Sequence, residues 1–165
     1  MKEFSLPLMS EYARPVIKLY GMPSLIDTGA VVPVFSVYPY FLEKTFAAKM
    51  ILPRGNISGF GGKEYGSVYS LKNFKVGELI FETLEVFVPD EPDIKFRFLL
   101  SATLFHGMDY EIDTINQKFT VRMNDEQNFN REFKIKDLEG KLFPQIDGVL
   151  FEDVDIELQD YQIFF

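Results

Sequence analysis

Short strand-like segments broken by glycine and proline run through almost the whole chain, and this punctuation confines it to a mainly β fold. Arg14 to Tyr20 alternates polar and apolar residues, the period of a half-buried strand. Ser24 to Ile26 is an apolar strand that leads straight into a tight turn at Asp27-Thr28-Gly29. Val31 to Phe35 is β-branched and apolar and reads as a buried strand despite Pro33. Ser67 to Phe74, Leu79 to Val88 and Phe96 to Leu100 read as further strands, and Tyr110 to Asp113 with Lys118 to Met123 as a hairpin around Ile115-Asn116. Two short helices are expected: Tyr40 to Met50, with Phe41, Phe46 and Ala47 near one face, and one or two turns over Ala102 to Gly107. Asn56 to Gly66 is dense in glycine and reads as a mobile loop, and Pro89 to Asp93 as a surface loop.

At 165 residues the chain can bury one real core and carry an appended piece. A shift in composition at Asn124 divides it into a domain over residues 1–123 and a C-terminal β-rich extension over 124–165. Asn124 to Asn130 is polar and loop-like. Further on, Val154, Ile156 and Leu158 alternate with Asp155, Glu157 and Gln159, so a half-exposed strand is expected there.

The formal net charge of -8, from 25 acidic and 17 basic residues, repels phosphate backbones and argues against a nucleic-acid partner. The longest apolar runs, such as Val31 to Phe35, fall far short of the roughly 20 residues needed to span a bilayer. Glu3, Glu11 and the prolines of the first segment interrupt the apolar core that an export signal needs. A soluble, cytoplasmic protein with no membrane partner is the expectation. Cysteine is absent, so no disulfide, thiolate nucleophile or cysteine metal site can form. His106 is the one histidine; beside Gly107 at a helix end it reads as a capping or packing residue, and no metal or cofactor is expected. The acidic cluster Glu82, Glu85, Asp90, Glu91 and Asp93 lacks the spacing of a calcium loop and reads as a solvated face. The 18 phenylalanines read as core or interface packing.

The segment with chemistry in it is Leu25-Ile26-Asp27-Thr28-Gly29-Ala30. An apolar pair ahead of Asp-Thr-Gly sets a carboxylate at the end of a buried strand. Glycine, having no Cβ, is expected to let the backbone turn sharply, and the threonine hydroxyl can tie neighbouring backbone groups together. An ordinary β-turn is the simplest alternative for so short a string.

This segment resembles the active-site segment of the retropepsin-like aspartic peptidases. Gly59-Phe60-Gly61-Gly62 resembles the glycine-rich tip of that family's flap. Phe98-Leu99-Leu100-Ser101-Ala102-Thr103-Leu104-Phe105 resembles the strand and short helix near the end of its domain, and Tyr110 to Val121 its closing strand pair in cellular and bacterial relatives. The four features fall in the family's order and extend from Arg14 to Met123. Two departures stand out. Ser101 occupies a position where glycine is usual, and Val31 and Val32 stand where many viral enzymes carry acids that bind the substrate backbone.

The resemblance implies a closed acid-protease barrel, with the extension packed on the domain or at a dimer interface. It also implies an endopeptidase whose water is activated between two aspartates. Carboxylates about 3 Å apart cannot both ionise, so one serves as base and its protonated partner as acid. Neither Asp113-Thr114-Ile115 nor Asp147-Gly148 repeats the motif, and a two-lobed single chain would have to be far longer. A homodimer with Asp27 facing its own copy is therefore expected. By the same resemblance Thr28 and Gly29 support the turn, while Ala30, Gly59, Phe60, Gly61 and Gly62 contact a peptide or protein substrate. The alternative is a catalytically inactive module of the same kind that binds extended peptides or scaffolds a complex. The extension could also cover the cleft as a self-inhibitory segment.

Overall fold

A computed structural model describes residues 2–59, 62–92, 96–123, 129–139, 141–151 and 161–164, with the backbone alone at 57–59, 62–63 and 161–164. The strands in chain order are β1 (Lys2–Pro7), β2 (Val16–Leu19), β3 (Met22–Asp27), β4 (Val34–Phe35), β5 (Lys49–Gly59), β6 (Gly62–Val76) and β7 (Leu79–Pro89). There follow β8 (Phe98–Ser101), β9 (Asp109–Asp113), β10 (Lys118–Met123), β11 (Asn130–Leu138), β12 (Lys141–Ile146), β13 (Val149–Leu150) and β14 (Tyr161–Phe164). One helix, α1 (Pro39–Phe46), and one 3-10 turn, η1 (Ala102–Phe105), complete this mainly β architecture.

A four-stranded sheet has the order β1-β10-β9-β14, and a ten-stranded sheet has the path β13-β12-β11-β7-β4-β8-β3-β2 with the β5–β6 hairpin on the other edge of β7. β7 organises the larger sheet. Its first edge pairs with β6 from Val76↔Leu79 to Gly66↔Pro89. Its second edge is shared: β11 takes Ile80 to Leu84 in parallel, and β4 takes Phe87.

Most of the expected strands form close to where they were read, including the Asp109–Asp113 and Lys118–Met123 hairpin. Three segments differ. Val31 to Phe35 is strand only at Val34–Phe35, because Pro33 has no N–H to give a ladder; its carbonyl accepts from Phe87 N–H at 3.0 Å instead. The helix ends at Phe46 rather than running to Met50, since Ala47 turns left-handed (φ 51°) and Ala48 N–H bonds back to the Leu42 carbonyl. The glycine-dense stretch is strand rather than loop up to Gly59 and again from Gly62, with Asn56 opposite Tyr65 and Gly59 opposite Gly62. The strand expected at Val154–Leu158, and Asp93 of the acidic cluster, lie outside the described residues.

Aromatic packing holds the layers together. Phe35 contacts Phe98 at 4.4 Å and Phe74 at 5.2 Å between ring centres, and Phe46 and Tyr20 extend the cluster from α1 to the β2–β3 turn. A second cluster, Phe105 with Phe119 (5.2 Å) and Tyr110 (5.4 Å), fastens η1 to the smaller sheet. Gly66 marks the closest approach of β6 and β7, since a Cβ there would lie 2.3 Å from the Val88 carbonyl oxygen.

Glu85 departs from the expected solvated face. It is buried between the stretch of β7 that pairs with β11 and the residue that pairs with β4, and its carboxylate accepts the Ile135 N–H at 2.8 Å. Burial raises its pKa, opposed by the Ile135 hydrogen bond and by Lys134 and Lys136. A raised value in the folded chain means that this group's contribution to stability is complete below the ordinary glutamate range and is lost as pH rises through the folded value.

Glu85→Gln keeps an acceptor and removes the charge, so its stability relative to the wild type should improve between about pH 4 and about pH 7, read as urea midpoints at each pH. Gly66→Ala should destabilise the chain by about 1–3 kcal/mol in the same assay, because backbone and not a mobile side chain occupies the space.

Candidate active site

β3 and β4 are consecutive in sequence but not adjacent in space. β8 lies between them, parallel to β3 with Asp27 level with Ser101, and antiparallel to β4 with Val34 opposite Leu99. Residues 28–33 must therefore cross the C-terminal end of β8. Leu25, Ile26 and Leu100 are buried, and Asp27 is the first polar residue beyond them, half-buried where the sheet ends. The carboxylate is delivered to this rim by the apolar strand behind it.

The turn closes on itself. Gly29 N–H donates to Asp27 Oδ1 at 3.1 Å, and Ala30 N–H to the Asp27 carbonyl at 3.2 Å, an Asx-turn nested in a backbone turn. Asp27 Oδ2 makes no hydrogen bond to a described residue, and neither does the Thr28 hydroxyl. Gly29 is not required by the turn in the way its sequence implies. Its φ lies outside the left-handed region, and an added Cβ would meet only Asp27 Oδ1, at an ordinary 3.6 Å.

The far side of the crossing is pinned by hydroxyls that the sequence reading passed over. Thr103 Oγ1 donates to the Val31 carbonyl (2.5 Å) and lies 2.8 Å from Ser101 Oγ. Thr103 has one hydroxyl proton and it goes to Val31, so Ser101 is the donor of the second bond. Ser101, which departs from the usual glycine, thus supports the loop that follows the Asp-Thr-Gly turn. Both residues are fully buried.

One step further along η1, the Leu104 carbonyl accepts from Arg131 Nη1 at 2.9 Å, and Arg131 Nε lies 3.3 Å from Asp147 Oδ2. Asp147 Oδ1 in turn accepts the Glu132 N–H at 2.8 Å. Arg131 is buried, in phase with Phe133 and Ile135 along β11. That phase was the one sequence signal that it points inward.

The other expected site residues lie apart from the turn. Gly59 and Gly62 pair at the distal end of the β5–β6 hairpin, while Phe60 and Gly61 lie outside the described residues. No hydrogen bond joins this hairpin to the Asp27 turn among the described residues. The hairpin's base is fitted differently: two register shifts bend β5 between Met50 and Gly55, Ser67 Oγ donates to the Pro53 carbonyl at 3.0 Å, and Gly55 lies against Leu142 of β12.

The remaining aspartates of interest are committed to turns. Asp113 accepts from the Ile115 and Asn116 amides and from the Asn116 side chain, and these bonds hold its pKa below the usual range. The ring of His106 packs against Phe151 at 4.6 Å, and the His106 backbone N–H donates to the Thr103 carbonyl. Among the described residues there is no group of three or more His, Cys, Asp or Glu that could hold a metal ion, and no helix is long and apolar enough to cross a membrane.

No family model matches the chain, and no curated protein matches it. Among solved structures, the fold is similar to the crystal structure of a retropepsin-like aspartic protease from Rickettsia conorii, with a TM-score of 0.48 and 15% sequence identity, covering 73% of this chain and 89% of that one.

Thr103→Val removes the donor to the Val31 carbonyl while keeping the side chain's shape. The loss should destabilise the chain by about 1–3 kcal/mol, measured by urea denaturation.

Proposed function

We propose that the chain is one half of an aspartic endopeptidase, with Asp27 as its catalytic carboxylate and a second copy supplying the other. The observation that carries this reading is the state of the turn within a single chain. Asp27 is fixed through Oδ1 by Gly29 N–H, and its Oδ2 is left unengaged by described residues. The Thr28 hydroxyl makes no hydrogen bond to a described residue, and among them a Cβ added at Gly29 would meet only Asp27 Oδ1, at 3.6 Å. A turn built this way has groups to offer and room to receive a symmetric neighbour.

In the dimer a water between the two Asp27 carboxylates loses a proton to the ionised one and attacks the scissile carbonyl, whose oxygen is protonated by the other. Thr28 of each chain braces the opposite turn. Ala30 and the Gly59–Gly62 tip line an extended substrate, with the hairpin closing over it to exclude water. The closed barrel implied by the sequence resemblance, the division at residue 123 and a cytoplasmic setting belong to this same reading.

Full-length protein incubated with a peptide library between about pH 4 and about pH 7 should cleave with a bell-shaped pH profile, because two carboxylates in contact share one proton. Asp27→Asn should reduce cleavage to background while the protein remains folded and dimeric by sedimentation. Cleavage that survives the substitution, or a wild type that is strictly monomeric at micromolar concentration, overturns the reading. A dimer that binds peptides without cutting them points to the inactive module instead.

A further inference from the structure

Resting on the peptidase reading above, we propose that Arg131, on the β11 strand beyond the segment that resembles the peptidase domain, is a positioning residue for Asp27, acting through η1. Desolvating a guanidinium is costly unless it is paired. A residue needed only to fill this space would be apolar, as Phe133 and Ile135 are on the same face of the strand. What arginine adds is a planar guanidinium fork that carries both a directed donor and a charge. Here Nη1 donates to the Leu104 carbonyl at 2.9 Å, and Nε forms an ion pair with Asp147 Oδ2 at 3.3 Å.

The base of that fork is rigid. Asp147 exchanges two 2.8 Å hydrogen bonds with the Glu132 backbone, one through its carboxylate and one through its own N–H. With Gly148 it forms a tight turn in the left-handed region (φ 50° and 86°). Leu104 therefore has its carbonyl tied to a fixed point outside the crossing. Its neighbour Thr103 holds the Val31 carbonyl, and Val31 directly follows the Asp27–Ala30 turn. η1 is further held by Phe105 among Phe119 and Tyr110. Loosening Leu104 removes one of the attachments of a turn of only four residues. The displacement passes to the loop carrying the reacting group, where small misplacements are costly to rate.

The test uses full-length protein and amide exchange at Gly29 and Ala30, whose N–H groups bond to Asp27, with Ile115 and Asn116 at the Asp113 turn as internal controls. Arg131→Met should speed exchange at Gly29 and Ala30 by about ten-fold or more and leave the controls unchanged, and Arg131→Lys should restore part of the protection. In Arg131→Met, kcat should fall by about ten-fold or more with KM within about two-fold, since the loss concerns placement and not substrate contact. Combined with Thr103→Val, Arg131→Met should add little to the faster exchange of Thr103→Val alone, because both cut one path. Unchanged exchange at Gly29 and Ala30 in Arg131→Met, or full additivity in the double variant, overturns the proposal. If Arg131→Met does not fold, Arg131→Leu is read by the same criteria, and Arg131→Lys should show a smaller rise in the same direction. The exchange measurement needs no activity: a wild type that fails to cleave sinks the peptidase reading, whereas cleavage abolished by Asp27→Asn together with unmoved exchange sinks this inference alone.

Discussion

The lodging of Phe98–Ser101 between Met22–Asp27 and Val34–Phe35 is the constraint on which the rest of the molecule depends. Because β8 separates two strands that are neighbours in sequence, the chain has to pass over its end. That passage is where Asp27 is found. Burial of Leu25, Ile26 and Leu100 fixes the depth of the strands, so hydrophobic packing carries the carboxylate to the rim of the sheet. The phenylalanines behind β4 and β8 then make the platform stiff, and the hydroxyls of Ser101 and Thr103 secure the part of the crossing that backbone pairing does not reach.

Much of this was legible from local pattern. Alternating polarity located β2, the Ile115-Asn116 turn located the β9–β10 hairpin, and an apolar pair before Asp-Thr-Gly located the end of β3, because each signal needs only neighbours in sequence. Legibility failed where the deciding partner is remote. Thr103 meets Val31 across 72 residues, Arg131 meets Leu104 across 27, and Glu85 meets Ile135 across 50. No window of sequence contains both ends of such a contact. The β5–β6 hairpin failed for a different reason: glycine signals weak side-chain packing, but a ladder made by main-chain groups on a paired strand does not require any.

The buried polar groups divide by task. Glu85 completes a backbone ladder where two strands part company, and its carboxylate stands in for a missing main-chain acceptor. Arg131 caps the Leu104 carbonyl of the 3-10 turn. Each is a charged group kept out of water by a single structural need, and each joins β11 to elements earlier in the chain. The candidate site turn shows the opposite economy, with the Thr28 hydroxyl and one oxygen of Asp27 making no hydrogen bond among the described residues.

The division of one edge of β7 between β4 and β11 has a consequence for assembly. Until residues 130–133 have been synthesised and docked, the main-chain groups of Ile80 to Leu84 on that edge have no ladder to join, although β6 can already cover the opposite side. β1 waits still longer in relative terms, its first pair being Lys2 with Met123. Such distant pairings pay their loop-closure entropy before any reward, which makes for slow, late consolidation of the sheet. Until then an emerging chain carries an unpaired strand edge, the condition under which strands of neighbouring molecules aggregate.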